Sequence, residues 1–328
     1  RRGKQEIVVS IEIFRYLASV ERTTLSTWRN MGAALAGMAI NVLGPMIVFV
    51  DNKIDADRMF MTACIFGVLA ISCYIGCYKL STERIAVPEK EVEKGAFLRS
   101  VKSLLTNKPF LWVLAASLLA MTNQFIVQAV NTYLFKDYFA NAGALSIIGL
   151  VQTLSMFLIV PFVSPLVAKF GKKEISVVGM TLASIIYIAM FFLKFTTTTP
   201  FIALAALGYM AMCLYNIVTW AFITDVIDYH EYLTSMREDA TVYSIISMSR
   251  KVGQAVAGGI GGVAISMVGY DATVGTQSQG VLDGIYMLGT LVPGIFYAII
   301  AVVLLMYPLS KQKTIQLGKD LAARRANR

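Results

Sequence analysis

A lysine deep inside an apolar run is the residue with the most chemistry to explain. Lys251 stands about ten residues into the stretch 241–268. At 1.5 Å per helical residue that is roughly 15 Å deep, near the middle of a bilayer core about 30 Å thick. An ammonium there costs roughly 2.5–3.5 kcal/mol on insertion scales, so it faces a water-filled cavity or a carboxylate in a structural ion pair. Arg250 is turned about 100° around the same helix and cannot share that cavity; an acid near the mouth is one partner open to it.

A second set is made of amides. Gln124, Gln128 and Asn131 recur at i, i+4 and i+7 within 111–135, which puts them on one helical face. They can line a cavity and bond the hydroxyls of a polar solute, or bond a neighbouring helix at about 0.6 kcal/mol per contact. Tyr209, Asn216 and Trp220 follow one face of 201–224. Their rings offer apolar faces to a solute, or pack as core or interfacial belt; Trp220 is open between these, and Trp28 and Trp112 read as belt.

The third set is charged. Asp225, Asp228 and Glu231 recur at i, i+3 and i+6, Arg237 follows, and Lys169, Lys172 and Lys173 close the preceding turn. These opposed charges form a gate that pairs in one conformation and breaks in another, or they are solvated loop charges that set topology. One exposed pair contributes about 0–1 kcal/mol, but several together reach the few kcal/mol that bias a two-state equilibrium. His230 is a loop histidine or a proton relay. Cys64, Cys73, Cys77 and Cys213 fall inside apolar blocks without metal-ligand spacing and read as small buried hydrophobes. No nucleophile–base pair, metal-ligand set or nucleotide loop accompanies these residues, so no enzyme, resident metal or cofactor is expected.

The segments that carry these residues fix the class. Of 328 residues 57% are hydrophobic and 15% charged, with mean hydropathy +0.66; a soluble domain has roughly 45–50% apolar and about 25% charged. Apolar residues gather in eight blocks, at 30–50, 59–78, 111–135, 145–167, 175–193, 201–224, 241–268 and 284–307. Crossing a bilayer takes about 20 helical residues, and unpaired backbone groups are excluded from lipid, so the blocks are helices. The expected fold class is an all-α polytopic membrane protein of about eight transmembrane helices. Pro45, Pro161, Pro165 and Pro293 are expected to kink or break spans, and Gly253, Ala257, Gly258, Gly261 and Gly262 to permit close helix approach.

The net charge of +9 is unevenly placed: one side of the eight-span topology has only Lys53, Arg58, Lys136 and Lys194 as basic residues. By the positive-inside rule both termini are cytoplasmic, in a multi-pass protein of the plasma membrane. The basic excess then meets anionic lipid headgroups, and nucleic acid is not an expected partner. Residues 7–20 are too short and too interrupted, by Glu12 and Arg15, to span or to serve as a signal peptide.

Five regions follow: a cytoplasmic leader of uncertain origin at 1–26, two helices at 27–78, a cytoplasmic middle loop at 79–110, a six-helix bundle at 111–307 and a basic cytoplasmic tail at 308–328. In the loop, Phe97, Leu98, Val101, Leu104 and Leu105 recur at helical spacing among Arg99, Lys102 and Lys108, as an amphipathic helix on the membrane face does.

The run Trp220-Ala-Phe-Ile-Thr-Asp225-Val-Ile-Asp228-Tyr229-His230-Glu231-Tyr232, with Arg237-Glu238-Asp239, Tyr243-Ser244 and Lys251-Val-Gly253, resembles the tenth-to-eleventh helix region of the glycoside–pentoside–hexuronide:cation symporter family, within the major facilitator superfamily. Glu21-Arg22-Thr-Thr-Leu-Ser-Thr-Trp28-Arg29 resembles the start of that family's fifth helix, and Gly171-Lys172-Lys173 the turn between its eighth and ninth. The resemblance covers roughly residues 18–328. It implies a major facilitator-type bundle matching helices five to twelve, with the first four absent, and alternating-access symport of a sugar or glycoside with Na⁺ or H⁺. The implied cargo contacts include Lys251 and Arg29; from its sequence alone Arg29 reads equally as a positive-inside anchor. The usual cation ligands would lie in the absent helices, so a non-transporting remnant is the alternative expectation. Residues 1–17 do not resemble the end of the family's fourth helix. A monomer is expected.

Overall fold

With no water in the hydrocarbon to satisfy amides, each apolar block closes its own hydrogen bonds as a helix. In the computed structural model of the chain, residues 32–50 (except 34, 38 and 41), 53–80, 102–234 and 239–326 are described. Helix α1 covers Leu35–Val48. A two-residue hairpin follows, β1 Phe49–Val50 against β2 Lys53–Ile54, with Val50 opposite Lys53. Then come α2 Ala56–Leu80, α3 Lys108–Tyr133 with a π turn at Leu134–Tyr138, α4 Ala144–Phe170, α5 Lys172–Leu193, α6 Thr198–Thr234, α7 Asp239–Met267, α8 Gln279–Gly289, α9 Leu291–Met306 and α10 Lys311–Ala326.

Local chemistry sets the ends. Asp55 accepts from the Asp57 and Arg58 amides at the start of α2. Asn107 caps α3 through the Phe110 amide, with Pro109 in the first turn, where its missing N–H costs nothing. Gly171 joins α4 to α5 at φ +108°, and a Cβ there would meet the Glu174 carboxylate; only glycine fits. α8 and α9 form one span broken at Thr290, whose hydroxyl bonds the Tyr286 carbonyl. Pro293 lies in the turn after that break, whereas Pro161 and Pro165 sit inside an uninterrupted α4.

Helices α3 to α9 form the bundle, in which α5 packs on α6 and α9, α3 on α7, and α4 on α6. Glycine governs the α3–α7 contact: a Cβ on Gly253 would lie 3.0 Å from the Leu118 carbonyl, and one on Gly261 would lie 3.1 Å from Ala129. The core divides into two clusters. One gathers Phe110, Phe222, Tyr215 and Tyr307 toward the end bearing Lys172, Lys173 and Lys311 (the basic end); the other gathers Phe135, Phe201, Ile285 and Tyr286 toward the opposite end. Large apolar residues cover the outside, among them Leu154, Phe157 and Phe162 on α4 and Val302 and Leu305 on α9. A surface of that kind is stable only against lipid, and the chain is an all-α, multi-pass membrane protein.

Among the described residues six helical segments are long and apolar enough to cross: α2, α3 with its π turn, α4, α5, α6 and α8–α9. The block at 241–268 is α7, 29 residues and about 43 Å long, but Arg250, Lys251 and its glycines dilute its apolarity. The block at 30–50 is described only in part. Residues 1–31, including Arg29 and the leader, and 81–101, which hold much of the middle loop, lie outside the described residues, as does Arg237.

The structure departs from the sequence reading at the end of α6, at His230 and at three of the cysteines, and it adds a helix to the tail. Helix α6 does not end at 224 but runs to Thr234, 37 residues in all, or about 55 Å. His230 is therefore helical and 1% exposed rather than a loop residue. The tail at 308–328 contains α10, whose Leu317 and Leu321 are buried. Of the four cysteines only Cys213 is buried by protein; Cys64, Cys73 and Cys77 are exposed on α2, which buries no residue among those described.

Candidate functional site

A cavity of about 620 Å³ lies between the bundle and the α1 hairpin. Within an α-helix, residues four apart share a face, and this places Gln124, Gln128, Asn131 and Thr132 of α3 along one wall. Helix α4 adds Gln152 and Thr153, α6 adds Tyr209, Cys213 and Asn216, and α9 adds Tyr297. Ile40, Gly44, Pro45 and Val48 of α1, with Phe49, Ile54 and Met59, make an apolar counterpart. The Ser146 hydroxyl donates to the Val42 carbonyl at 2.8 Å, tying α4 to α1 at the end away from the basic loops.

The polar wall is partly locked. Gln152 donates its amide to the Tyr209 hydroxyl, and Asn131 and Tyr187 lie beside that hydroxyl. Asn131 and Tyr209 are 8% and 7% exposed, whereas Gln124 and Gln128 are exposed to the cavity. The expected amide face thus lies on the cavity. Gln152 and Thr153 were not singled out from the sequence, although a lone amide inside the apolar run 145–167 carries the same signal as Gln124.

Lys251 and Trp220 stand apart from this lining. Gly253 abuts Leu118 and Met121, so Lys251 lies toward the basic end from the level of Gln124. It is exposed, and its ammonium donates to the Gln254 side-chain oxygen at 3.2 Å. Depth was legible from sequence position; direction around the helix was not. Trp220 continues the Asn216 face by one turn and is 50% exposed. It stacks on Tyr243 with centroids 6.1 Å apart, and Arg250 lies 5.6 Å from its ring centre. Arg250 therefore meets an aromatic face, where an acid was one partner open to it, in a cation–π contact linking α6 and α7.

The charged set sits at the basic end. Lys172 pairs with Asp225 at 2.6 Å, with Asp225 8% exposed. Lys173 donates to the Tyr307 carbonyl at 2.6 Å, Lys169 lies 5.1 Å from the Phe170 ring centre, and Lys311 donates to the carbonyls of Ala168 and Lys169 that end α4. Glu231 is buried and Asp228 partly so, both on the overrun of α6. Burial, then the negative charge of Asp225, raises the Tyr307 phenol above its ordinary range, so it stays neutral. These contacts tie α5 to α6, α5 to the end of α9, and α10 to α4. Among the described residues no group of three or more His, Cys, Asp or Glu could hold a metal ion.

Fold and site together define a multi-pass helical membrane protein with a polar-walled cavity at the edge of the α3–α9 bundle. The sequence profile described as MFS/sugar transport protein matches residues 16–311, and the chain belongs to that family, as the Trp220–Gly253 segment implied. The chain is 29% identical over 306 residues to the uncharacterized symporter YjmB of Bacillus subtilis, an alignment covering 92% of this chain and 66% of the relative. It is 26% identical over 294 residues to the glucuronide carrier protein homolog of Escherichia coli, covering 89% and 64%. It is 26% identical over 296 residues to the isoprimeverose transporter of Lactiplantibacillus pentosus, covering 89% and 61%. The chain thus spans just under two thirds of the length of the curated relatives it matches.

Proposed function

We propose that this chain forms part of a secondary active transporter that moves a sugar or glycoside together with Na⁺ or H⁺ by alternating access. The observation that carries the reading is the amide-lined cavity between α1 and the bundle, in a chain of the MFS/sugar transport family. Its volume falls within the ~300–1,000 Å³ of small-molecule sites. Gln124, Gln128 and Asn131 contact the cargo. Lys251 and Arg29 reach the transport path in the whole protein, because a mid-bilayer ammonium needs water, a carboxylate or cargo beside it. Trp220, held by Tyr243 and Arg250, stands below them toward the basic end.

The basic end faces the cytoplasm, both termini lie there, and the protein works as a monomer in the plasma membrane with no cofactor beyond the coupling ion. It carries cargo without chemical change. Asp225, Lys172 and Lys173 brace the inner end of the bundle, with Asp228, Glu231 and Lys169 beside them, and gating acts on this braced unit.

Uptake of labelled glycosides by the whole protein in membrane vesicles, with and without a sodium or proton gradient, tests the reading. Gradient-driven accumulation is expected. Uptake that never exceeds equilibration under either gradient refutes symport, and no uptake of any glycoside refutes sugar transport.

A further inference from the structure

We infer that the Ser146 hydroxyl of α4 and the Val42 carbonyl of α1 close the cavity at the end away from the basic loops, and that this contact breaks and re-forms in each transport cycle; this rests on the transport reading above. The hydroxyl donates at 2.8 Å across 104 residues of sequence, and Ser146 is 6% exposed. It stands in the first turn of α4, three residues before Gly149 and seven before Thr153, both in the cavity wall. On α1, Val42 lies between Ile40 and Gly44, which line the other side. The bond thus joins the two walls at the rim of the cavity they enclose.

Two features suit a contact that opens. Pro45 has no N–H, and its ring opens the turn before it, where Val42 lies. In a membrane helix such a turn takes a hydrogen bond from a serine or threonine on a neighbour. Once released, a serine hydroxyl can bond a carbonyl in the preceding turn of its own chain, so opening strands no buried donor. The basic end is organised differently. Its ion pair and lysine contacts join α4, α5, α6, α9 and α10 to one another, and α2 buries no residue among those described. The structure is therefore closed between α1 and α4 at the end away from the basic loops, and entry of cargo from that side requires a state in which this end is open.

Cross-linking tests this in vesicles holding the whole protein, with the native cysteines changed to serine and Val42→Cys combined with Ser146→Cys. A short, reducible bis-methanethiosulfonate is expected to bridge the pair and abolish gradient-driven glycoside uptake, and reduction to restore it. Failure to bridge, or uptake at the unbridged rate after bridging, overturns the inference while leaving transport standing. No uptake of any glycoside by the whole protein before substitution overturns the transport reading itself. A second measurement needs neither a cross-link nor uptake. With Cys213 kept and Cys64, Cys73 and Cys77 changed to serine, Ser146→Ala removes the donor. Reaction of Cys213, in the cavity wall, with a small impermeant methanethiosulfonate added on the face away from the basic end is then expected to quicken about fivefold, the shift that one net hydrogen bond makes in an equilibrium. An unchanged rate would overturn the inference, because the closure would then not depend on this contact.

Discussion

Tyr209 positions more of the cavity than its own contact area indicates, since one hydroxyl meets Gln152, Asn131 and Tyr187. Tyr209→Phe removes that hydroxyl and frees the Gln152 amide to turn. Losing hydrogen bonds of about 1–2 kcal/mol in sum predicts a rise in uptake KM of about 5–30-fold, with maximal rate changed less; an unchanged KM would show that the triad does not orient cargo. Lys251→Ala is expected to abolish coupled accumulation while the protein still reaches the membrane. Accumulation at the normal level would mean that the ammonium only snorkels. At the basic end, Asp225→Asn strips Lys172 of a partner that is 8% exposed. A cost between that of exposed and buried pairs, about 1–3 kcal/mol, should appear as a lower melting temperature in detergent. The reversed pair Lys172→Asp with Asp225→Lys should recover part of it. A gate that bridges two separate bodies would instead change the accessibility of the two faces without changing melting.

At the scale of elements, the spans were legible and their limits were not. Apolar blocks announced the helices because hydropathy is the dominant cost in lipid. Helix α6 outran its block because Asp225, Asp228 and His230 read as loop, while Val226 and Ile227 between them are buried at 0% and 1%. The overrun gives α10 something to dock on: Arg324 donates to the Tyr232 carbonyl at 2.9 Å and lies 4.2 Å from its ring centre. The only sequence signal for α10 was Leu317 and Leu321 at i, i+4 among charges, easily taken for a solvated tail. Leu321→Ala should destabilise the bundle by about 2 kcal/mol, at the low end for a buried leucine, read as a melting shift. No shift would mean that α10 is an appendage. The amide face of α3 was legible for a related reason: four-residue spacing in a known helix fixes a face. The outlook of Lys251 was not, because the glycine-rich α7 has no apolar periodicity to say which side meets lipid.

At the scale of the whole molecule, transport needs one orientation and one occupied cavity. With the native cysteines replaced, Thr276→Cys in the exposed loop before α8 should react with an impermeant maleimide on intact cells, and Lys313→Cys on α10 only after permeabilisation; the reverse would turn the proposed topology over. The cavity itself carries a native reporter, since Cys213 lines it and is 6% exposed. With Cys64, Cys73 and Cys77 changed to serine in the whole protein, the rate of Cys213 alkylation by a small permeant maleimide measures access to that wall. A transported glycoside at saturation should slow alkylation several-fold, and a sugar that is not transported should leave it unchanged. Alkylation at the same rate in the presence of a saturating, transported glycoside would contradict the claim that cargo occupies this cavity.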